Sequence, residues 1–251
     1  MSFSVPTDLI AAVRTARSVC VLTGAGISAE SGIPTFRDAM DGLWAEFRAE
    51  ELATAEAFAR DPETVTRWYD WRRQKCAAAK PNPGHLAIAA WAGQCPHFTL
   101  VAQNVDRLHQ AAGSRAVIEL HRTLWVWRCV PCGAEREERE VPFEEYPPKC
   151  ACGGNRRPSV VWFGEALPEA ALEAAYRAAQ SCELFFSIGT SAGVYPAADL
   201  AHAARKCGVR IAEINLQPTP LSAAADWTVL GRAGDALPAL IERAFGRASS
   251  V

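Results

Sequence analysis

No apolar run in this 251-residue chain reaches the roughly 18–20 residues that span a bilayer, and its first residues, MSFSVPTDLIAAVRTARS, lack a basic segment followed by an apolar core and a cleavage site. A cytoplasmic protein is expected, with no membrane partner. Net charge is also scarce, at −2 from 26 basic and 28 acidic side chains. Bulk electrostatics therefore gives no ground for tight binding to nucleic acid or an anionic surface. Repeats and low-complexity linkers are missing. So is the low hydrophobicity of disordered chains, since 49% of residues are hydrophobic and only 22% charged. The length suits one large α/β domain, or one with a modest insertion, rather than two independent full-size domains. What the chain has in excess is cysteine. Nine thiols, an odd number without a secretion signal, read poorly as disulfides and better as a metal site plus buried thiols.

Five short apolar runs end in polar residues: Val19–Leu22 before Thr23 and Gly24, Phe98–Val101 before Gln103 and Asn104, Val117–Leu120 before His121, Leu184–Ile188 before Gly189, and Val209–Ile214 before Asn215. These read as buried strands. Helical spacing marks Pro168–Gln180 and Pro196–Lys206, and the alternation predicts a mostly parallel, doubly wound sheet. Ligands of such sheets bind beyond the carboxyl ends of the strands, where all five polar clusters fall. Two stretches interrupt the alternation. Residues 38–80 look helical, through Glu51–Phe58 and Pro62–Lys75, and residues 122–159 carry two cysteine pairs around a charged run. Both are read as insertions that form a smaller lobe. The large domain is then discontinuous, at 1–37, 81–121 and 160–251.

Gly24-Ala25-Gly26-Ile27-Ser28-Ala29 follows a strand and fits the G-x-G-x-x-A pattern, whose glycines let backbone approach a pyrophosphate. A tight turn without ligand is the alternative. The ordinary dinucleotide fingerprint continues to an acidic strand end, whereas here Ser31-Gly32-Ile33-Pro34-Thr35-Phe36-Arg37 follows, so a dinucleotide would be held in a non-standard way. Cys129-x-x-Cys132 and Cys150-x-Cys152 offer four thiolates in two close pairs, the donor set of a closed structural zinc site. The second pair is one residue tighter than usual. Gln103, Asn104, Asp106 and His121 fall at neighbouring strand ends, where an amide, a carboxylate and an imidazole could bind a ligand and remove a hydroxyl proton.

These motifs, with Glu119-Leu120-His121, Arg157–Glu165 and Gly189-Thr190-Ser191, resemble the sirtuins, NAD-dependent protein lysine deacylases, over about residues 13–246. The resemblance implies a Rossmann-like large domain and a small domain, with NAD and acyl-lysine meeting between them. It implies cofactor contacts for Gly24, Ala25, Gly26, Ser28, Phe36 and Arg37. Gln103, Asn104 and Asp106 would surround the nicotinamide and its ribose, and Gly189, Thr190, Ser191, Asn215, Leu216, Gln217 and Ala233 the adenosine side. His121 would be the catalytic base, with Asn104 beside the chemistry. Val161, Trp162, Phe163 and Gly164 would pair their backbone with the substrate peptide as an added strand. The implied reaction expels nicotinamide when the acyl amide oxygen attacks the ribose, and yields free lysine and an acyl-ADP-ribose.

Arginine stands at position 122, directly after the histidine, where the family usually has glycine. If that position needs φ > 0, Arg122 carries strain. Its cation would oppose protonation of the base or contact an acidic substrate. Tyr69 and Arg72 share one face of a helix and resemble the Y-x-x-R element of class III sirtuins, which implies preference for succinyl-, malonyl- or glutaryl-lysine. A solvent-facing pair is the plainer reading of the spacing alone. Other readings stay open: an NAD-dependent dehydrogenase from the glycine loop, ADP-ribosyl transfer to protein, and a zinc-ribbon nucleic-acid module, which the acidic run Glu135–Glu140 disfavours. The expected partners are acylated-lysine proteins, and a monomer is expected.

Overall fold

The computed structural model describes residues 4–35 and 49–246, so Phe36 and Arg37 lie outside the described residues. Ten helices and nine strands are described: α1 (Thr7–Thr15), β1 (Ser18–Thr23), α2 (Ala25–Ala29), α3 (Ala49–Leu52), α4 (Ala55–Arg60), α5 (Pro62–Ala78), α6 (Pro83–Ala92), β2 (His97–Ala102), α7 (Leu108–Ala111), β3 (Val117–Glu119), β4 (Val126–Cys129), β5 (Glu135–Glu137), β6 (Arg156–Pro158), α8 (Glu169–Ser181), β7 (Leu184–Ile188), α9 (Asp199–Lys206), β8 (Arg210–Asn215), β9 (Trp227–Leu230) and α10 (Ala233–Phe245).

Six strands form one sheet in the order β3-β2-β1-β7-β8-β9, with every neighbouring pair parallel. After β1 the chain builds outward to β2 and β3, then returns to the other side of β1 for β7, β8 and β9. The carboxyl ends of β1 and β7 therefore flank the topological switch, where doubly wound sheets bind ligands. β1 and β7 are buried along nearly their whole length, and their runs of Val, Leu, Ile and Phe suit strands covered on both faces. One apolar layer, with Leu9, Trp91 and Leu240, lies under α1, α6 and α10. The opposite layer, with Ala175, Phe185 and Leu200, lies under α8 and α9.

A third core, with Phe58, Trp68, Trp127 and Trp162, joins the segments around α4 and α5 to the antiparallel sheet β5-β4-β6. Arg73 of α5 locks this junction. Its guanidinium donates to Asp70 Oδ1 at 2.7 Å and to the carbonyls of Glu138 and Glu140 at 2.8 Å each, and Tyr146 donates to Asp70 Oδ2. Both charged groups are fully buried, a placement tolerated only because each is paired and hydrogen-bonded.

The expected run Glu51–Phe58 is not one helix. The chain breaks between α3 and α4, where Thr54 turns extended and caps α4 by accepting from Ala57 N. The freed Ala53 carbonyl accepts from Phe163 N at 2.9 Å, tying this break to the predicted peptide-binding segment. Pro81–Gly84 does more than close the helical stretch. Asn82 caps α6, with Pro83 in the first turn. Strand β9 was not foreseen, because its Trp-Thr-Val-Leu run is short and half exposed.

Candidate active site and metal centre

Gly24 and Gly26 make the sharp exit from β1. A Cβ on Gly26 would lie 2.7 Å from Gly189 O, and one on Gly24 would lie 2.7 Å from the Thr190 side chain, so only glycine lets the two switch-point loops meet. Gly26 N donates to Gly189 O at 2.8 Å. Across the same seam, Gln103 donates from its amide to Thr190 Oγ1 at 3.1 Å and Asn215 donates to Thr190 O at 2.8 Å. The strand ends of β1, β2, β7 and β8 thus converge on one rim. Ser191 is half-buried on it, and Leu216 and Gln217 extend it into solvent. Ala233 opens α10, whose next residue, Gly234, donates its N–H to Glu30 Oε1.

Ser28 sits at the centre of the polar cluster, 1% exposed. Its hydroxyl donates to Asp106 Oδ2 at 2.7 Å and accepts from Asn104 Nδ2 at 2.8 Å. Asp106 is also held by Leu108 N at 2.8 Å, and burial pushes its carboxyl above the usual range. Asn104 Oδ1 is buried and has no partner among the described residues. An orphaned buried acceptor costs free energy unless a ligand donor meets it, and a ribose hydroxyl has the right chemistry.

His121 follows β3. Its Nδ1 lies 2.8 Å from Gln103 O, and since a carbonyl can only accept, that nitrogen carries the proton and Nε2 keeps its lone pair. Burial lowers its pKa below the usual 6.5, so the ring is neutral at pH 7. Arg122 does adopt φ 57°, the left-handed region. Its guanidinium pairs with Glu135 at 2.8 Å.

The carbonyl of His121 accepts from Val161 N at 3.2 Å, and Trp162 N donates to Glu165 Oε2 at 2.9 Å. With Phe163 N bound to Ala53 O, the amides of Val161, Trp162 and Phe163 are all used inside the chain. Gly164 N makes no hydrogen bond among the described residues, which narrows where a peptide strand could add. The Trp162 side chain is buried rather than facing solvent, and its indole N–H donates to Tyr69 Oη at 2.9 Å.

Tyr69 is fully buried, not solvent-facing, and burial pushes its phenol up to about 12, so it stays a donor at neutral pH. With Oη already accepting from Trp162, its own proton is left to point elsewhere. The Arg72 guanidinium lies 5.7 Å from the Tyr69 ring centre and 5.0 Å from that of Trp68, and its charge helps hold Asp106 ionised. The Y-x-x-R pair and the Ser28 cluster are therefore neighbours.

The four cysteine sulfurs, of Cys129, Cys132, Cys150 and Cys152, lie within 4.8 Å of one another, with Cys129 to Cys152 at 3.4 Å and Cys132 to Cys150 at 3.7 Å. Tetrahedral zinc with bonds of about 2.3 Å sets sulfurs about 3.8 Å apart, so the set fits one structural zinc. Arg156 points a guanidinium at Cys150 Sγ, 3.6 Å away, and would offset thiolate charge. Gly154 is required there, since a Cβ would meet Pro131 at 2.3 Å and Cys129 Sγ at 3.0 Å. Of the other five thiols, Cys20, Cys76, Cys95 and Cys182 are buried, with Cys20 and Cys182 in one core layer, and Cys207 is exposed.

The Sir2 family model matches residues 24–196. The chain belongs to the Sir2 family. An NAD-dependent protein deacylase of Aquifex aeolicus is 53% identical over 210 residues, covering 83% of this chain and 87% of that protein. One of Methylococcus capsulatus is 48% identical over 250 residues, covering 96% and 97%. Among solved structures, a Sir2 homolog in complex with NAD superposes with a TM-score of 0.92 at 44% identity, over 96% of this chain and 94% of that one. The family match spans the four-cysteine insertion and strands β2, β3 and β7 of the parallel sheet. His85 and His109, which no sequence motif marks, also pack beside the Ser28 cluster. Their rings stack edge to face 4.9 Å apart, His109 Nε2 bonds Thr23 Oγ1 at 2.9 Å, and His85 approaches Ser28 Oγ at 3.4 Å. Both lie on helices, so no strand-end signal marked them.

Proposed function

We propose that the protein is an NAD-dependent protein lysine deacylase that removes acetyl groups and, through Tyr69 and Arg72, acidic acyl groups such as succinyl and malonyl. The observation that carries this reading is His121 with its Nδ1 held on the Gln103 carbonyl, set beside a buried Ser28, Asn104 and Asp106 network that leaves one acceptor, Asn104 Oδ1, unpaired. NAD would supply the ribose carbon from which nicotinamide departs.

The remaining work falls to the chain. Gly24, Ala25, Gly26, Ser28, Phe36 and Arg37 hold the dinucleotide. Gly189, Thr190, Ser191, Asn215, Leu216, Gln217 and Ala233 line its adenosine end, and Gln103, Asn104 and Asp106 orient the ribose near the leaving nicotinamide. His121 Nε2 takes the proton of a ribose hydroxyl as that oxygen attacks the acyl carbon. Fixed dipoles in a site with little water stabilise positive charge developing on the ribose. Val161–Gly164 dock the peptide and give the amide oxygen a high effective concentration. A succinyl carboxylate would take a proton from Tyr69 Oη and a charge-assisted bond from Arg72. Residues 1–37, 81–121 and 160–251 make the NAD-binding domain, and 38–80 with 122–159 the small domain, in a monomeric cytoplasmic protein. Among the described residues no helix is long and apolar enough to cross a membrane.

The test is to incubate the protein with NAD and matched acetyl- and succinyl-lysine peptides and to weigh the products. Free lysine peptide, nicotinamide and acyl-ADP-ribose in equal amounts are expected. A peptide heavier by one ADP-ribose, or reduced nicotinamide, overturns the reading.

A further inference from the structure

Arg122 is the feature that the reaction leaves unexplained. It holds a left-handed backbone that glycine would occupy without strain, and its side chain, 41% exposed, lines a cleft beside the proposed peptide-docking segment. That cleft has a volume of about 280 Å³ and is lined by Arg122, Arg128, Ser159, Val161, Glu165 and Pro168. It is smaller than the roughly 300–1,000 Å³ of pockets for drug-sized ligands, which suits one amino-acid side chain.

The charges in the cleft do not cancel. Both oxygens of Glu165 are taken by the fork of buried Arg157, at 2.6 and 2.9 Å, and Trp162 N fills out Oε2. Arg128 is a second cation on the same carboxylate, 3.1 Å from Oε1 and 35% exposed. Glu135 accepts from Arg122 and from Ser159 Oγ, at 2.8 and 3.0 Å. Three arginines thus face two glutamates, and the surplus charge sits on the two half-buried arginines that line the cleft, Arg122 and Arg128. The Arg122 to Glu135 pair is itself solvent-exposed and easily exchanged. Backbone strain held in place beside a site is a reason to look for function.

We propose that Arg122 and Arg128 form a subsite for an aspartate or glutamate side chain of the substrate protein, a few residues from the acyl-lysine. The carboxylate enters between the two guanidinia over Val161 and takes charge-assisted hydrogen bonds from both. The subsite selects among protein sequences and is separate from the acyl pocket at Tyr69 and Arg72. It rests on the proposed docking of peptide along Val161–Gly164.

The experiment uses acetyl-lysine peptides in which one glutamate, alanine or lysine is moved through the three positions on each side of the acetyl-lysine, with kcat/KM measured at low and high salt. At one or two positions glutamate should exceed alanine by about three- to fivefold, the scale of an exposed ion pair, and lysine should fall below alanine. The preference should shrink with salt. It should vanish in Arg122→Gly, which suits the φ of that position, weaken in Arg128→Gln, and reverse in Arg122→Glu. No favoured acidic position, or one unchanged in all three variants, overturns the subsite. Turnover of the alanine peptides reports the underlying deacylation separately. Hydrogen exchange of residues 161–166 with and without peptide reports the docking segment, so failure of either is distinguishable from failure of the subsite.

Discussion

The Nδ1 of His121 and the main-chain oxygen of Gln103 are 2.8 Å apart, and this one bond fixes which face of the imidazole can act as a base. Gln103 follows β2 and His121 follows β3, so the parallel pairing of these strands sets the distance. Burial lowers the His121 pKa, and the bond to Gln103 raises it by a smaller amount. The neutral form is the active one. Activity should therefore be level above the usual imidazole value of 6.5 and fall only as pH drops through a lower, shifted value. A kcat/KM profile against pH checks this, and an acid limb centred above 6.5 contradicts it.

Ser28 to alanine removes one donor to Asp106 and one acceptor for Asn104 in a buried place. Leaving two buried polar groups unpaired costs about 1–3 kcal/mol each. Thermal unfolding of Ser28→Ala should shift down accordingly, and its kcat should fall more than its KM rises, because Asn104 and Asp106 lose their orientation while the glycine seam stays. A variant with the stability and turnover of the parent contradicts the role given to this hydroxyl.

Arg72→Met should reduce kcat/KM for succinyl-lysine peptide about 10- to 100-fold, the worth of about 1.5–3 kcal/mol for a hydrogen bond to a charged group. Acetyl-lysine has no carboxylate and should lose far less. Tyr69→Phe should act in the same direction and more weakly, because the phenol is a neutral donor, while the acceptor lost to Trp162 lowers both activities together. Equal losses for both peptides would remove Tyr69 and Arg72 as readers of the acyl group.

Purified protein should carry about one zinc per chain, as four thiolates in a closed set require. Chelation or Cys150→Ser should loosen β4, β5 and β6 first, because the cysteines flank β4 and β6. The effect should spread to α5, since Arg73 is anchored on the Glu138 and Glu140 carbonyls. Metal analysis with hydrogen exchange of residues 62–78 measures both parts. Folded protein without metal contradicts the assignment.

Five of the six sheet strands were legible because their mostly apolar runs end abruptly in polar residues or glycine, a pattern set by burial on both faces, whereas the short, half-exposed β9 lacks it. The four cysteines were legible because ligand spacing is local. The break between α3 and α4 was not, since the helix propensity of Glu51–Phe58 is overridden by the tertiary bond from Phe163 N to Ala53 O. Tyr69 could not be seen to be buried, because Trp162, the residue that covers it, is 93 positions away. His85 and His109 were passed over for the same reason: their partners Ser28 and Thr23 come from another part of the chain. The strain at Arg122 was readable as a departure from a familiar motif, whereas its pairing with Glu135 depended on how β5 returns beside β4.

The most direct measurement of the central claim compares the parent protein with His121→Tyr, using NAD and an acetyl-lysine peptide, with bound NAD and released products both quantified. The parent should release nicotinamide, deacetylated peptide and acetyl-ADP-ribose in equal amounts, while His121→Tyr should still bind NAD and form no acetyl-ADP-ribose. Acetyl-ADP-ribose at the parent rate from His121→Tyr would contradict the account.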